Sequence, residues 1–157
     1  FLNIECGSGI ISETSYKSGI SKENITASDI NPDAIGKTQE KIHNIKTIYS
    51  DLFSSIEFKN KKYNIIVFNP PYLPLDDITG KYEPKSSQLA TTGGNKGDEI
   101  ILSFLKQARQ HLCKNGKIFI LISSLTPINR IKRLCPNFRI LRTQRLFIEE
   151  LYILEIR

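Results

Sequence analysis

The tetrapeptide Asn69-Pro70-Pro71-Tyr72 carries the most specific chemistry in this chain. Two consecutive prolines fix φ and remove two N–H donors. The Pro70 carbonyl is therefore expected in a rigid loop, free to accept. The side-chain carbonyl of Asn69 is a second acceptor. Two converging acceptors suit one group above all, an NH₂ on a flat amide or amine. Tyr72 can stack on the plane that bears it. A rigid turn closing a strand would need the prolines but neither the Asn nor the Tyr. Holding both hydrogens on fixed acceptors localises the nitrogen lone pair, so positioning and electrostatics would supply most of the catalysis. No His–carboxylate pair stands out. His43 and His111 fall in helical patterns and read as surface residues.

Three weaker features sit upstream. Glu5-Cys6-Gly7-Ser8-Gly9 joins a strand to a helix. Glycine there lets backbone approach a ligand, and the helix start offers free N–H groups. A plain tight turn explains the same residues. Asp29, followed by Ile30, ends the next strand, where an acid in a βαβ unit can accept from both ribose hydroxyls of a nucleoside. Capping of the following helix is the competing explanation. Asp51, followed by Leu52 and Phe53, ends a third strand. Its carboxylate could take an adenine amino group while an apolar neighbour packs on the ring. Open α/β sheets bind ligands along that edge.

The elements that must position these residues alternate between short apolar runs and helical patterns, which predicts βα units and a parallel sheet. Strands are expected at Phe1 to Ile4, Asn24 to Asp29, Thr47 to Ser50, Tyr63 to Phe68 and Lys117 to Ile122. Helices are expected at Ile10 to Ser18, Asp33 to Ile42, Asp98 to Cys113 and Pro127 to Leu134. Within the third of these, Ile101, Phe104, Leu105, Ala108 and Leu112 share one face. Asn115-Gly116 would end it with a left-handed cap. Phe138 to Leu141 and Leu151 to Ile156 read as two closing strands. A long loop from Asn69 to about Gly97 holds several prolines and glycines, and a loop of that length is usually functional or mobile.

The 157 residues suffice for one domain, residues 1–157, with its own core. No apolar run is long enough for a membrane helix. Three scattered cysteines, Cys6, Cys113 and Cys135, argue for a reducing compartment, the cytoplasm, and against a disulfide framework or a bound structural metal. The net charge of +6 suits nucleic acid, an acidic partner or a lysine-rich solvated surface equally. The chain has no methionine, so upstream residues are expected to be missing from it.

IECGSGI, ASDINPDA, YSDLF and IIVFNPPYLP together resemble the class I methyltransferase core. The segment LATTGGNKGDEIILSFLKQARQHLCKNGKIFILIS is similar to the release-factor glutamine methyltransferases of the HemK type, with Gly93-Gly94 some two dozen residues past the catalytic loop. The resemblance runs from Leu2 to about Ser124. It implies a Rossmann-like α/β fold, a mostly parallel seven-stranded sheet with an antiparallel C-terminal strand. It implies S-adenosyl-L-methionine as cofactor, bound at Glu5, Cys6, Gly7, Ser8, Gly9, Asp29, Ile30, Asp51, Leu52 and Asn69, with catalysis at Asn69, Pro70, Pro71 and Tyr72. The compact eukaryotic and archaeal form that the length suggests implies N5-methylation of the glutamine in the Gly-Gly-Gln loop of a class 1 translation termination factor. It also implies a small zinc-binding activator subunit pairing with an edge strand at Ile45 to Tyr49. N6-adenine methylation of RNA or DNA is the alternative, with Arg130, Lys132, Arg133, Arg139, Arg142 and Arg145 as phosphate contacts. The family usually has an acid at the position of Asn3 and glycine at that of Glu5, so here the acid is displaced by two residues.

Overall fold

The computed structural model describes residues 1–74 and 91–157. The middle of the long loop expected over Asn69 to Gly97 lies outside the described residues. Seven strands form one sheet: β1 (Leu2–Ile4), β2 (Thr26–Asp29), β3 (Lys46–Tyr49), β4 (Tyr63–Phe68), β5 (Leu112–Ser123), β6 (Arg139–Arg145) and β7 (Glu150–Ile156). Their order is β3-β2-β1-β4-β5-β7-β6. β1 pairs in parallel with both β2 and β4, and β2 with β3. β7 alone runs antiparallel, pairing with β6 in a hairpin. The expected fold is thus the observed one. The described helices are α1 (Ile10–Lys17), α2 (Pro32–Lys41), α3 (Glu99–Ala108) and α4 (Ile128–Leu134). None is long and apolar enough to cross a membrane.

Contacts divide the chain into two compact units, residues 1–69 with 108–118 and residues 70–107 with 119–157. In the first, Cys6, Ile25, Ala27, Ile42 and Ile45 form a core against which Phe1, Ile20 and Ile35 pack. α2 starts where the sequence predicts. Pro32 occupies the first turn, and the Asn31 side chain accepts from the Asp33 N–H at 2.9 Å. In the second unit Ile101, Phe104, Leu105, Ile120, Ile122, Ile131, Leu154 and Ile156 are all buried.

Three expectations are corrected. The helix predicted over Asp98 to Cys113 ends at Ala108. A single 3₁₀ turn, Arg109–His111, follows, and Leu112 already belongs to β5. Leu112 continued the helical spacing by coincidence, since an apolar residue suits a half-buried strand equally. Asn115 does take a left-handed φ of 66°, but inside β5 and not as a helix cap. The adjoining Gly116 sits where a Cβ would lie 3.0 Å from the Tyr63 carbonyl oxygen. His111 is buried, stacked on Phe53 with ring centroids 4.4 Å apart and planes 2° from parallel, its Nδ1 3.1 Å from the Lys61 carbonyl oxygen. His43 is exposed as expected.

Candidate active site

In the first unit three features follow the carboxyl ends of parallel strands. Asp29 closes β2, Asp51 follows β3 and Asn69 follows β4. Asp29 is 6% exposed. Its Oδ2 accepts from the Gly7 N–H at 2.9 Å and its Oδ1 from the Asn31 N–H at 2.8 Å. Helix capping falls to Asn31, so Asp29 is left to tie the first turn to the second strand. Each of its oxygens keeps a lone pair for a hydroxyl donor. Ile30 and Asp51 are exposed, whereas Leu52 is buried with φ 47°.

The five residues of the first turn do different work. Cys6 is packed in the core, its N–H donates to the Ser28 carbonyl at 2.9 Å, and the Thr38 hydroxyl donates to its Sγ at 3.2 Å. Burial pushes its thiol up to about 11, so it is an inert packing residue. Gly9 donates to the Cys6 carbonyl at 2.8 Å, and a Cβ there would lie 2.9 Å from the Thr38 Cα. Glycine at position 9 lets α2 approach. A Cβ at Gly7, with φ 53°, would meet nothing within 4 Å. Gly7 therefore borders open space where a ligand has room, and Ser8 beside it is exposed.

Glu5 is the unusual member. It adopts a left-handed φ of 51° and is only partly exposed. Burial, then the Asp29 and Asp51 carboxylates, push its carboxyl up to about 8. Asn3 is fully buried, and its Nδ2 donates to the Ser12 hydroxyl at 3.1 Å, tying β1 to α1. Its Oδ1 has no partner among the described residues. Open space at Gly7 and the neighbouring carboxyls of Glu5, Asp29 and Asp51 fit a hydroxyl-bearing ligand with a cationic end.

The second unit builds the remainder of the tetrapeptide. Pro70 and Pro71 are buried, Tyr72 is half-buried, and Asn69 at the end of the first unit is exposed. Burial first, then the Glu149 carboxylate, hold the Tyr72 phenol above its ordinary value. A glycine loop braces this stretch. The Leu73 N–H donates to the Thr91 carbonyl and the Gly93 N–H to the Leu73 carbonyl, each at 3.0 Å. A Cβ at Gly93 would stand 2.5 Å from the Pro71 carbonyl oxygen. A Cβ at Gly97, where φ is +77°, would stand 2.5 Å from the Tyr72 carbonyl oxygen. Both positions demand glycine because backbone lies against backbone. The brace is anchored in turn by Asp98, fully buried, whose Oδ1 accepts from Arg130 Nη1 at 2.6 Å. Sequence spacing had marked Gly93-Gly94 as a family feature but not its packing on the proline loop. The Asp98–Arg130 pair left no local signal.

The model of the Eco57I restriction-modification methylase family matches residues 8–149. A putative protein N5-glutamine methyltransferase of Methanocaldococcus jannaschii is 36% identical, covering 98% of this chain and 78% of the relative. A release factor glutamine methyltransferase of Lactococcus lactis is 34% identical over 76% of this chain, which spans only 45% of that longer protein. Among solved structures, a ribosomal protein L11 methylase from Lactobacillus delbrueckii superposes with a TM-score of 0.67 at 18% identity, covering 99% of this chain and 68% of the other. A structure described as a putative methyltransferase from Streptococcus mutans in complex with SAH gives 0.60 at 20% identity, covering 99% and 88%. With the sheet order, the braced proline loop and these likenesses together, the chain belongs to the HemK-type protein N5-glutamine methyltransferases within the class I S-adenosylmethionine-dependent methyltransferases.

Proposed function

We propose that this chain transfers a methyl group from S-adenosyl-L-methionine to the side-chain amide nitrogen of a glutamine, and that its substrate is the Gly-Gly-Gln loop of a class 1 translation termination factor. The observation that carries the reading is the braced loop: an exposed Asn69 leading into two buried prolines whose backbone is fixed by Gly93 and Gly97. The cofactor supplies an electrophilic methyl group and departs as a neutral thioether. Asp29 would hold the ribose hydroxyls, Asp51 the adenine amino group, and Leu52 would lie against the ring. Glu5, whose carboxyl is raised to about 8 and so stays protonated near neutral pH in the unliganded chain, would ionise beside the cofactor's cationic end, a role that the more usual glycine could not fill. Asn69 Oδ1 and the Pro70 carbonyl each accept one amide hydrogen, which holds the nitrogen lone pair out of conjugation and toward the methyl group. The amide nitrogen held there would take the methyl group as the carbon–sulfur bond of the cofactor breaks, and the surplus amide proton would pass to water afterwards. No general base is needed before transfer. Tyr72 covers the flat face of the amide.

β3 lies at one edge of the sheet, so its outer backbone is open to strand addition. We infer that a small zinc-binding activator subunit pairs at Ile45 to Tyr49, where Tyr49 is 65% exposed. Methylation of adenine N6 in nucleic acid is the second reading, favoured by the Eco57I match, because the same two acceptors fit the exocyclic NH₂ of adenine. Incubation of the chain and its activator with termination factor, and separately with RNA and DNA, using labelled cofactor, tests both. Label on a glutamine side chain supports the first reading. Label on adenine with none on protein overturns it.

A further inference from the structure

The β6–β7 hairpin ends in a turn whose residues do not suit a turn. Leu146, Phe147, Ile148 and Glu149 lie between the last paired residues, Arg145 and Glu150, and the Leu146 N–H donates to the Glu149 carbonyl at 2.8 Å. Such turns favour glycine, asparagine, aspartate, proline and serine for conformational reasons. Here three apolar residues stand in their place, and relative exposure is 48% for Leu146, 103% for Phe147 and 77% for Ile148. Nothing in the described fold gains from that exposure. Contiguous apolar surface of this kind on a folded protein marks an interaction site.

The turn is held firmly from below. The Ser123 hydroxyl at the end of β5 donates to a Glu149 carboxylate oxygen. The Ser124 N–H donates to the Glu150 carbonyl at 2.7 Å, and the Glu150 N–H to the Ser124 hydroxyl at 3.0 Å. Ser124 and the turn enclose a shallow concavity of about 330 Å³. The same Glu149 carboxylate lies close enough to the catalytic loop to act on the Tyr72 phenol. The apolar turn therefore lies within electrostatic reach of Tyr72 in the same compact unit.

We propose that Leu146, Phe147 and Ile148 form the landing surface for the polypeptide that carries the target glutamine, which they hold through apolar side chains flanking it. The proposal rests on the protein-glutamine reading given above. The charge of the turn selects the polypeptide over a nucleic acid. From Arg145 to Glu150 the charged residues are the ion pair those two make, at 2.8 Å, and Glu149, so the turn itself carries more acid than base, while the exposed Arg139 and Arg142 lie farther along β6. A neutral or basic loop with an apolar residue near the glutamine meets both the charge and the surface.

The test compares the full chain with Phe147→Ser and Ile148→Ser, using its activator, purified termination factor and labelled cofactor. Both side chains are exposed, so the variants fold, which thermal denaturation checks directly. The expected result is a KM for the protein substrate raised about tenfold by Phe147→Ser, with kcat and the calorimetric cofactor Kd within about twofold of the parent. An unchanged KM overturns the proposal and leaves the glutamine reading intact. An unsubstituted chain that labels adenine and no protein overturns both. A substitution that changes sedimentation from dimer to monomer without moving KM assigns the surface to a second copy of this chain and also overturns the proposal.

Discussion

The first turn after β1 and the proline loop after β4 occupy equivalent places in their strands, yet they are built oppositely. The first turn departs from its family pattern at Asn3 and Glu5 and is held by polar groups: Asp29 to the Gly7 N–H, Asn3 to Ser12, Thr38 to Cys6. The proline loop keeps its pattern and is held by backbone lying on backbone at Gly93 and Gly97. Ligand affinity tolerates polar rearrangement, because a displaced acid can still meet a cation. Placement of an amide between two acceptors tolerates little, since misplacement by about an ångström can cost on the order of a hundredfold in rate.

The sharpest way to break this contrast is Asn69→Ala. Removing one fixed acceptor lowers kcat by about 10² to 10³, some 3–4 kcal/mol of transition-state stabilisation. Asn69 is exposed, so the melting temperature stays put. An equal fall in cofactor affinity, measured by calorimetry, would move Asn69 from acceptor placement to cofactor binding.

Gly97→Ala attacks the brace instead. The substitution puts a Cβ against the Tyr72 carbonyl and forces a left-handed φ, costing about 1–3 kcal/mol. Denaturant titration should show that loss, and kcat should drop while cofactor affinity holds. Activity unchanged at full occupancy of the folded state would mean that the brace supports the fold alone.

The first turn offers a matched pair. Gly9→Ala meets the Thr38 backbone and should destabilise by about 1–2 kcal/mol. Gly7→Ala meets open space, so its stability loss is smaller, while its methyl group intrudes on the ligand and weakens cofactor binding more than Gly9→Ala does. The reverse ranking, read by thermal melts and calorimetry on the two variants, would place the ligand against Gly9.

Glu5 adds a test in which pH is the variable. Its carboxyl titrates near 8 in the folded chain against an ordinary 4.5. A carboxyl raised on folding contributes stability that is fully present below about 4.5 and is lost as pH rises through about 8. Melting temperature of the unliganded chain should therefore decline across that window, and Glu5→Gln should flatten the decline. A slope that survives the substitution assigns the titration to another group.

The helix start at Asn31-Pro32 and the strand-end positions of Asp29, Asp51 and the proline loop were legible in the sequence, because each depends on neighbours along the chain. The alternation of strands and helices gave the fold class for the same reason. The parts that were hidden depend on distant partners. His111 is buried because Phe53 stacks on it, not because of its own helical surroundings. The sequence reveals β6 only over Phe138 to Leu141, because its seven exposed residues and the register shift between Ile140 and Arg142 leave no alternation to extend it to Arg145. The brace becomes visible only when Gly93 and Gly97 are seen against Pro71 and Tyr72. The division of labour in the first turn, with Cys6 and Gly9 committed to packing and Gly7 bordering open space, likewise needs α2 in place.

The measurement that tests the central claim most directly is peptide mapping of a termination factor after incubation with the chain, its activator and labelled cofactor. The account predicts one methyl group on a glutamine side-chain nitrogen, lost in Asn69→Ala. Unmodified glutamine together with methylated adenine N6 in a parallel nucleic-acid reaction would contradict it.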